Sequence, residues 1–219
     1  MAPQTITALY DRYEDASAAV GALERDGIPH GDISLVSNNE GDRHAGLPGD
    51  RTVGGAAGDA DAAAKAKDGT GAGATLGTVA GGAAGLLAGL GLIAIPGVGP
   101  VVAAGWLVAT LTGAGIGAAA GGLAGGLTGA GVSGADADAY GEGVRRGGTL
   151  VTVRIDEAQA SHGASTVAAI LERHGPVDLD QKASAWRADG WAAPDLGGDA
   201  AARPGTPGRV RSYPPTTGL

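Results

Sequence analysis

The chain has 219 residues, of which 43 are glycine, and its aromatic complement is three tryptophans and four tyrosines with no phenylalanine. Cysteine is absent, which excludes disulfides, thiolate catalysis and cysteine metal sites. A formal charge of -8 with only scattered Lys and Arg gives no electrostatic footprint for nucleic acid, and the length allows one or two domains.

Residues 4 to 38 read as strand, helix, strand. Ile6, Ala8 and Tyr10 share one face of a period-2 run. Asp11 or Asp15 can cap a helix carrying Ala16, Ala19, Val20 and Leu23, and Gly27 stands where a helix ends in a left-handed residue. Ile33 to Val36 makes a second strand. The start, MAPQTITALYDRYED, has no basic region followed by an apolar run, so a cleaved secretory signal is not expected. Residues 39 to 68 are polar and glycine-rich and read as a linker that ends in a helix start.

No charged residue occurs from Gly69 to Ala135. Leu76 to Ile95 is an apolar run of twenty residues, PGVGP at 96 to 100 is a turn, and Val101 to Val132 is a second apolar run. The expectation is a helical hairpin. Glycines recur every fourth position, at Gly69, Gly73, Gly77, Gly81, Gly85 and Gly89, then at Gly113, Gly117, Gly121, Gly125 and Gly129, with Gly105 in the same series. Each costs about 1 kcal/mol in a helix interior relative to alanine. A row of small residues along the i±4 ridge offsets that cost by letting two backbones approach closely, as in glycine-zipper membrane helices. Eight strong apolars in the first run supply roughly -2 to -5 kcal/mol towards insertion, marginal for one helix and better for a packed pair. A transmembrane hairpin is therefore expected, with a hairpin packed in water as its rival. Lys65, Lys67, Arg145 and Arg146 flank the apolar block and put both of its ends in the cytoplasm by the positive-inside rule.

Asp136 and Asp138 then open a short helix ending near Arg145 and Arg146. Leu150 to Ile155 reads as a strand, 157 to 174 as a helix with Val167, Ile170 and Leu171 inward, and Val177 to Asp180 as the start of another strand. Leu23-Glu24-Arg25-Asp26-Gly27 recurs as Leu171-Glu172-Arg173-His174-Gly175 at the end of the second helix. Two βαβ halves, 1–38 and 136–191, would thus form a four-stranded ferredoxin-like α+β sheet split by the hairpin, 69–135. Residues 192 to 219, with five prolines, read as a disordered tail.

Motifs of chemistry are missing or imitated. The spacing Gly71-x-Gly73-x-x-x-Gly77 is wrong for a dinucleotide cradle, and no GK[ST] exists for a Walker A loop. Asp136-x-Asp138-x-Tyr140-Gly141 begins like a calcium loop, but its twelfth position is Gly147, which cannot ligate. His30, His44, His162 and His174 lack metal spacing, and Ser133 sits in GVSG rather than GxSxG. No catalytic, metal or cofactor residues are expected. Trp186 and Trp191 fit either a sheet-closing role or a headgroup interface.

TITALYDRYEDASAAVGALERDGI with DISLVSN, a glycine-rich block containing IPGVGPVVAAG, then YGEGVRRGGTLVTVRID and AWRADGW together resemble the bacterial general stress protein family, of the heat-induced type. The resemblance spans roughly residues 4 to 191 and implies stress induction and no established catalytic residues. With the hairpin it leads to the expectation of a non-enzymatic protein at the bacterial inner membrane with a cytoplasmic domain, partnered by the bilayer and by other copies of itself. A cytoplasmic ligand-binding or oligomerisation module is the alternative.

Overall fold

The first strand, β1 (Gln4–Tyr10), is buried on both faces, because Ile6, Ala8 and Tyr10 meet one core and Thr5, Thr7 and Leu9 face the other way. This follows from its place inside a sheet covered on both sides. The computed structural model describes residues 4–40, 51–52, 91–95, 99–107, 116–155, 163–193 and 205–214. In these, β1 is followed by α1 (Tyr13–Arg25), a short 3-10 turn (His30–Asp32), β2 (Ile33–Asn38), β3 (Arg51–Thr52), β4 (Gly91–Ile95) and β5 (Gly99–Gly105). Then come α2 (Ile116–Gly129), α3 (Gly134–Arg145), β6 (Thr149–Ile155), α4 (Ala164–Glu172), α5 (Leu179–Ala188) and β7 (Val210–Tyr213). The result is a mixed α+β fold with the sheet order β3-β4-β5-β2-β6-β1-β7. Every neighbouring pair is antiparallel except β3 with β4.

The first core joins α1 and α4 to one sheet face through Ala16, Ala19, Val20, Leu23, Val167, Ile170 and Leu171, over Ile6, Ile33, Leu35, Val151 and Val153. The second core joins α2, α3 and α5 to the opposite face. It contains Leu9, Val36, Val101, Ala103, Leu150, Leu123, Leu127, Tyr140, Val144, Leu179 and Trp186. Both repeat glycines end their helices left-handed as expected, at φ 94 for Gly27 and φ 70 for Gly175. The cap of α1 differs: Arg12 occupies it, with no side-chain bond from Asp11 or Asp15.

Three expectations are corrected. Residues 91–95 and 99–105, beside and within the PGVGP segment, are not helical: β4 and β5 pair from Gly91↔Ala103 to Ile95↔Gly99, and β5 continues the sheet from β2. Val101 to Ala104 are buried there on alternating faces, so this stretch of the apolar run enters two cores at once, a pattern that also suits a helix when read as sequence. No helix among the described residues is long and apolar enough to cross a membrane. Second, the strand expected from Val177 to Asp180 is a helix start, because Asp178 accepts from the Gln181 N–H at 3.0 Å and caps α5. Third, the tail expected to be disordered contributes β7, which pairs with β1 from Thr5↔Tyr213 to Ala8↔Val210.

Of the glycine row, Gly69 to Gly89 and Gly113 lie outside the described residues, as do Lys65 and Lys67. Gly117, Gly121, Gly125 and Gly129 lie in α2, which is broken at Gly122 (φ 52, ψ -137). Gly129 is exposed, with nothing within 4 Å of where a Cβ would stand, so among the described residues it is no point of close approach. Gly105 has a different reason to be glycine. Its φ is +91, and a Cβ there would collide with the Ile33 carbonyl oxygen and stand 2.7 Å from the Ser34 Cα.

Candidate functional site

Side chains alternate along a strand, so positions paired across the sheet share a face and form rows. On the second face one such row is Leu9, Leu150, Val36 and Ala103, apolar throughout. The adjacent row is Arg211, Thr7, Thr152, Ser34 and Gly105, running across β7, β1, β6, β2 and β5. Beyond it stand Tyr213, Thr5 and Arg154. A band of hydroxyls and guanidinium groups thus crosses the sheet beside the apolar band, and all but Arg154 are buried.

The band is densest where β7 meets α3. Ser133 caps α3, accepting from the Asp136 N–H at 3.3 Å, and so sets Asp136 in the first turn. Both carboxylate oxygens of Asp136 are occupied: Arg211 Nη1 donates to Oδ1 at 2.6 Å, while the Tyr213 hydroxyl at 2.9 Å and the Gly205 N–H at 3.4 Å donate to Oδ2. Arg211 is 5% exposed and also pairs through Nη2 with Asp180 Oδ1 at 2.6 Å. Thr7 donates to the Tyr140 hydroxyl at 2.7 Å, and Thr5 to the Ala130 carbonyl at 2.6 Å. Ser34 donates to the Ala104 carbonyl at 2.7 Å. The Thr152 hydroxyl, between Thr7 and Ser34, is buried with no hydrogen-bond partner among the described residues.

Electrostatics make this cluster a closed one. Burial, joined by the neighbouring Tyr140 and the Asp136 charge, pushes the Tyr213 phenol well above its ordinary value. Burial pushes Tyr140 up to about 12, against the opposing hydrogen bonds of Thr7 and Tyr213. Burial disfavours the Arg211 cation, but Asp180 and Asp136 more than restore it and leave its pKa raised. The arrangement is a guanidinium held between two Asp side chains, with phenols donating or accepting around them. It holds elements together; it does not set a nucleophile beside a base.

A second cluster closes the far end of α3. Glu142 is 4% exposed and accepts from Arg145 Nε and Nη2, both at 2.7 Å, and from Arg146 Nε at 2.5 Å. Burial raises its pKa, but the two arginines outweigh burial and hold the carboxyl below the usual range. Arg145 and Arg146, expected as membrane-flanking charges, are thus committed to a carboxylate on their own helix. Trp186 is buried in the second core, Trp191 meets it edge-on at 6.1 Å, and Arg146 lies 5.5 Å over the Trp186 ring. A Cβ at Gly143 would stand 3.2 Å from that ring and 2.5 Å from a Leu9 methyl. Trp186 closes the second face as a packing residue.

Sequence reasoning reached Asp136 only as a helix-start acid and missed Arg211 and Tyr213. Their signal was the alternation Val210, Arg211, Ser212, Tyr213, obscured by Pro204, Pro207 and Pro214 around it. The chain matches no protein-family model, no curated protein and no solved structure.

Proposed function

We propose that this chain is a non-enzymatic bacterial stress protein whose ferredoxin-like module acts by self-association or by docking a partner. The sheet segment β2-β6-β1-β7, antiparallel throughout and with α1 and α4 packed on one face, supports the ferredoxin-like reading, with β7 as fourth strand. The family resemblance of TITALYDRYEDASAAVGALERDGI and YGEGVRRGGTLVTVRID supports the stress role. The observation that carries the reading is the use of the second apolar run. Val101 and Ala103 of β5 and Leu107, Leu123 and Leu127 after it are buried together in the second core on one sheet face. Apolar residues committed to a core are not free to face lipid, which favours an insert that extends the module over one that anchors it.

Fractionation of expressing cells, followed by alkaline washing of the membranes, tests this. The chain is expected in the fraction that carbonate releases. Retention in the washed membrane would overturn the reading in favour of an inserted segment. Transcript levels before and after heat and osmotic shock test the stress role separately, with induction expected and flat expression against it.

A further inference from the structure

We propose that β7 is an exchangeable strand, and that the slot it fills along β1 accepts the Arg-x-Tyr strand of a second copy of this chain. The slot has a defined chemistry. One wall is the edge of β1, and the other presents Asp136 from α3 and Asp180 from α5, which close on Arg211 from two sides at 2.6 Å each. Two residues on, Tyr213 reaches the second oxygen of Asp136, and Gly205 leaves room for its ring, since a Cβ there would stand 2.7 Å from it. An extended segment with Arg and Tyr at alternate positions answers both the charge and the register. Nothing else in the described chain fills the slot. Left empty, it would expose an unpaired strand edge and leave the Asp136 carboxylate without the guanidinium and hydroxyl that pair with it.

The outer edge of β7 is closed against a further strand. The Val210 N–H donates to Glu172 Oε1 at 3.2 Å and the Ser212 N–H to Thr206 Oγ1 at 3.1 Å, while Thr206 N–H returns to the Ser212 carbonyl at 3.2 Å. Thr206 lies in the segment from Gly205 onward and travels with the strand, whereas Glu172 stays on α4 and closes whichever strand fills the slot. Association at this edge therefore occurs by substitution of β7 rather than by addition to it. The eleven residues PDLGGDAAARP, 194–204, connect the strand to the rest of the chain. Extended, a segment of that length reaches up to roughly 40 Å. Each contact β7 makes is the same whichever copy provides it, so concentration and connector geometry decide between the closed monomer and the exchanged dimer. The inference does not depend on what the glycine-rich residues do.

The absence of native cysteine makes the test direct. Ala8 and Val210 lie opposite each other across the β1–β7 pair, as do Ile6 and Ser212. Chains carrying Ala8→Cys alone and Val210→Cys alone are mixed under mild oxidation, with the doubly substituted chain as a check that the pair closes within one molecule. The 6 and 212 pair serves if the first variants fold poorly. A disulfide-linked heterodimer is expected, and an excess of cysteine-free chain should suppress it by competing for the slot. No heterodimer, while the double variant closes on itself, would overturn the proposal. So would a heterodimer indifferent to the cysteine-free competitor, because that is collision of exposed thiols.

Discussion

Two glycines of the same fourfold series have opposite physics in this structure. Gly129 is exposed at the end of α2, where an alanine Cβ gains helix propensity and meets none of the described residues within 4 Å. Gly129→Ala should leave stability unchanged or raise it by up to about 1 kcal/mol. Gly105 combines a positive φ with the backbone of β2 at its Cα, so Gly105→Ala has to move a strand. It should lower the denaturation midpoint sharply, and chemical denaturation of the two variants checks the contrast. A zipper role for the whole row predicts similar losses at both. Arg211 poses a different residue-scale question, since a buried ion pair adds little stability but is costly to break on one side. Arg211→Ala should destabilise by about 3 to 5 kcal/mol by leaving Asp136 buried without a cation. Arg211→Ala with Asp136→Asn should recover part of that loss, and equal losses in the single and double variants would detach Asp136 from the effect.

At the scale of elements, α2 is the best test of where the second apolar run resides. Leu123 and Leu127, one turn apart beyond the break at Gly122, are both fully buried against the second sheet face. Leu127→Ala should therefore cost about 2 to 5 kcal/mol of unfolding free energy. An unchanged denaturation curve would mean that the helix does not dock. The elements also show what was legible in sequence. β1, α1, β2, β6 and α4 could be placed because each repeats a period of its own and ends in a recognisable turn, as at Gly27 and Gly175. β5 could not, because a strand buried on both faces is a continuous apolar run, and VVAAG satisfies a helix equally well. α5 was hidden by Val177 and Leu179, which mimic strand alternation while Asp178 caps a helix. β7 was hidden by the prolines beside it. Of the buried polar cluster, Asp136 was visible and its partners were not, since 75 residues separate it from Arg211.

For the whole molecule, the tyrosines report global packing. All four of them have raised pKa values: burial moves Tyr13 and Tyr140 up to about 12, and Tyr10 and Tyr213 higher still. A phenol raised in the folded state contributes stability that is whole below its unfolded value of about 10 and is lost as pH climbs through the folded value. The chain should thus show almost no phenolate absorbance at pH 10, and then ionise together with loss of circular dichroism between about pH 10 and 12. One phenol titrating normally near pH 10 in the folded protein would contradict the packing of its core.

The central claim is that segments far apart in the chain, including one from the apolar block and one from the proline-flanked terminus, complete a single sheet. Hydrogen exchange of the full chain, read by mass spectrometry over peptides covering Val101 to Ala104 and Val210 to Tyr213, measures this without any substitution. Ladder bonds shared with β2 and β1 should slow exchange in both peptides, with rates approaching those of Thr149 to Ile155, paired on both sides inside the sheet. Complete exchange of both at the earliest time points, while Thr149 to Ile155 stays protected, would contradict the account.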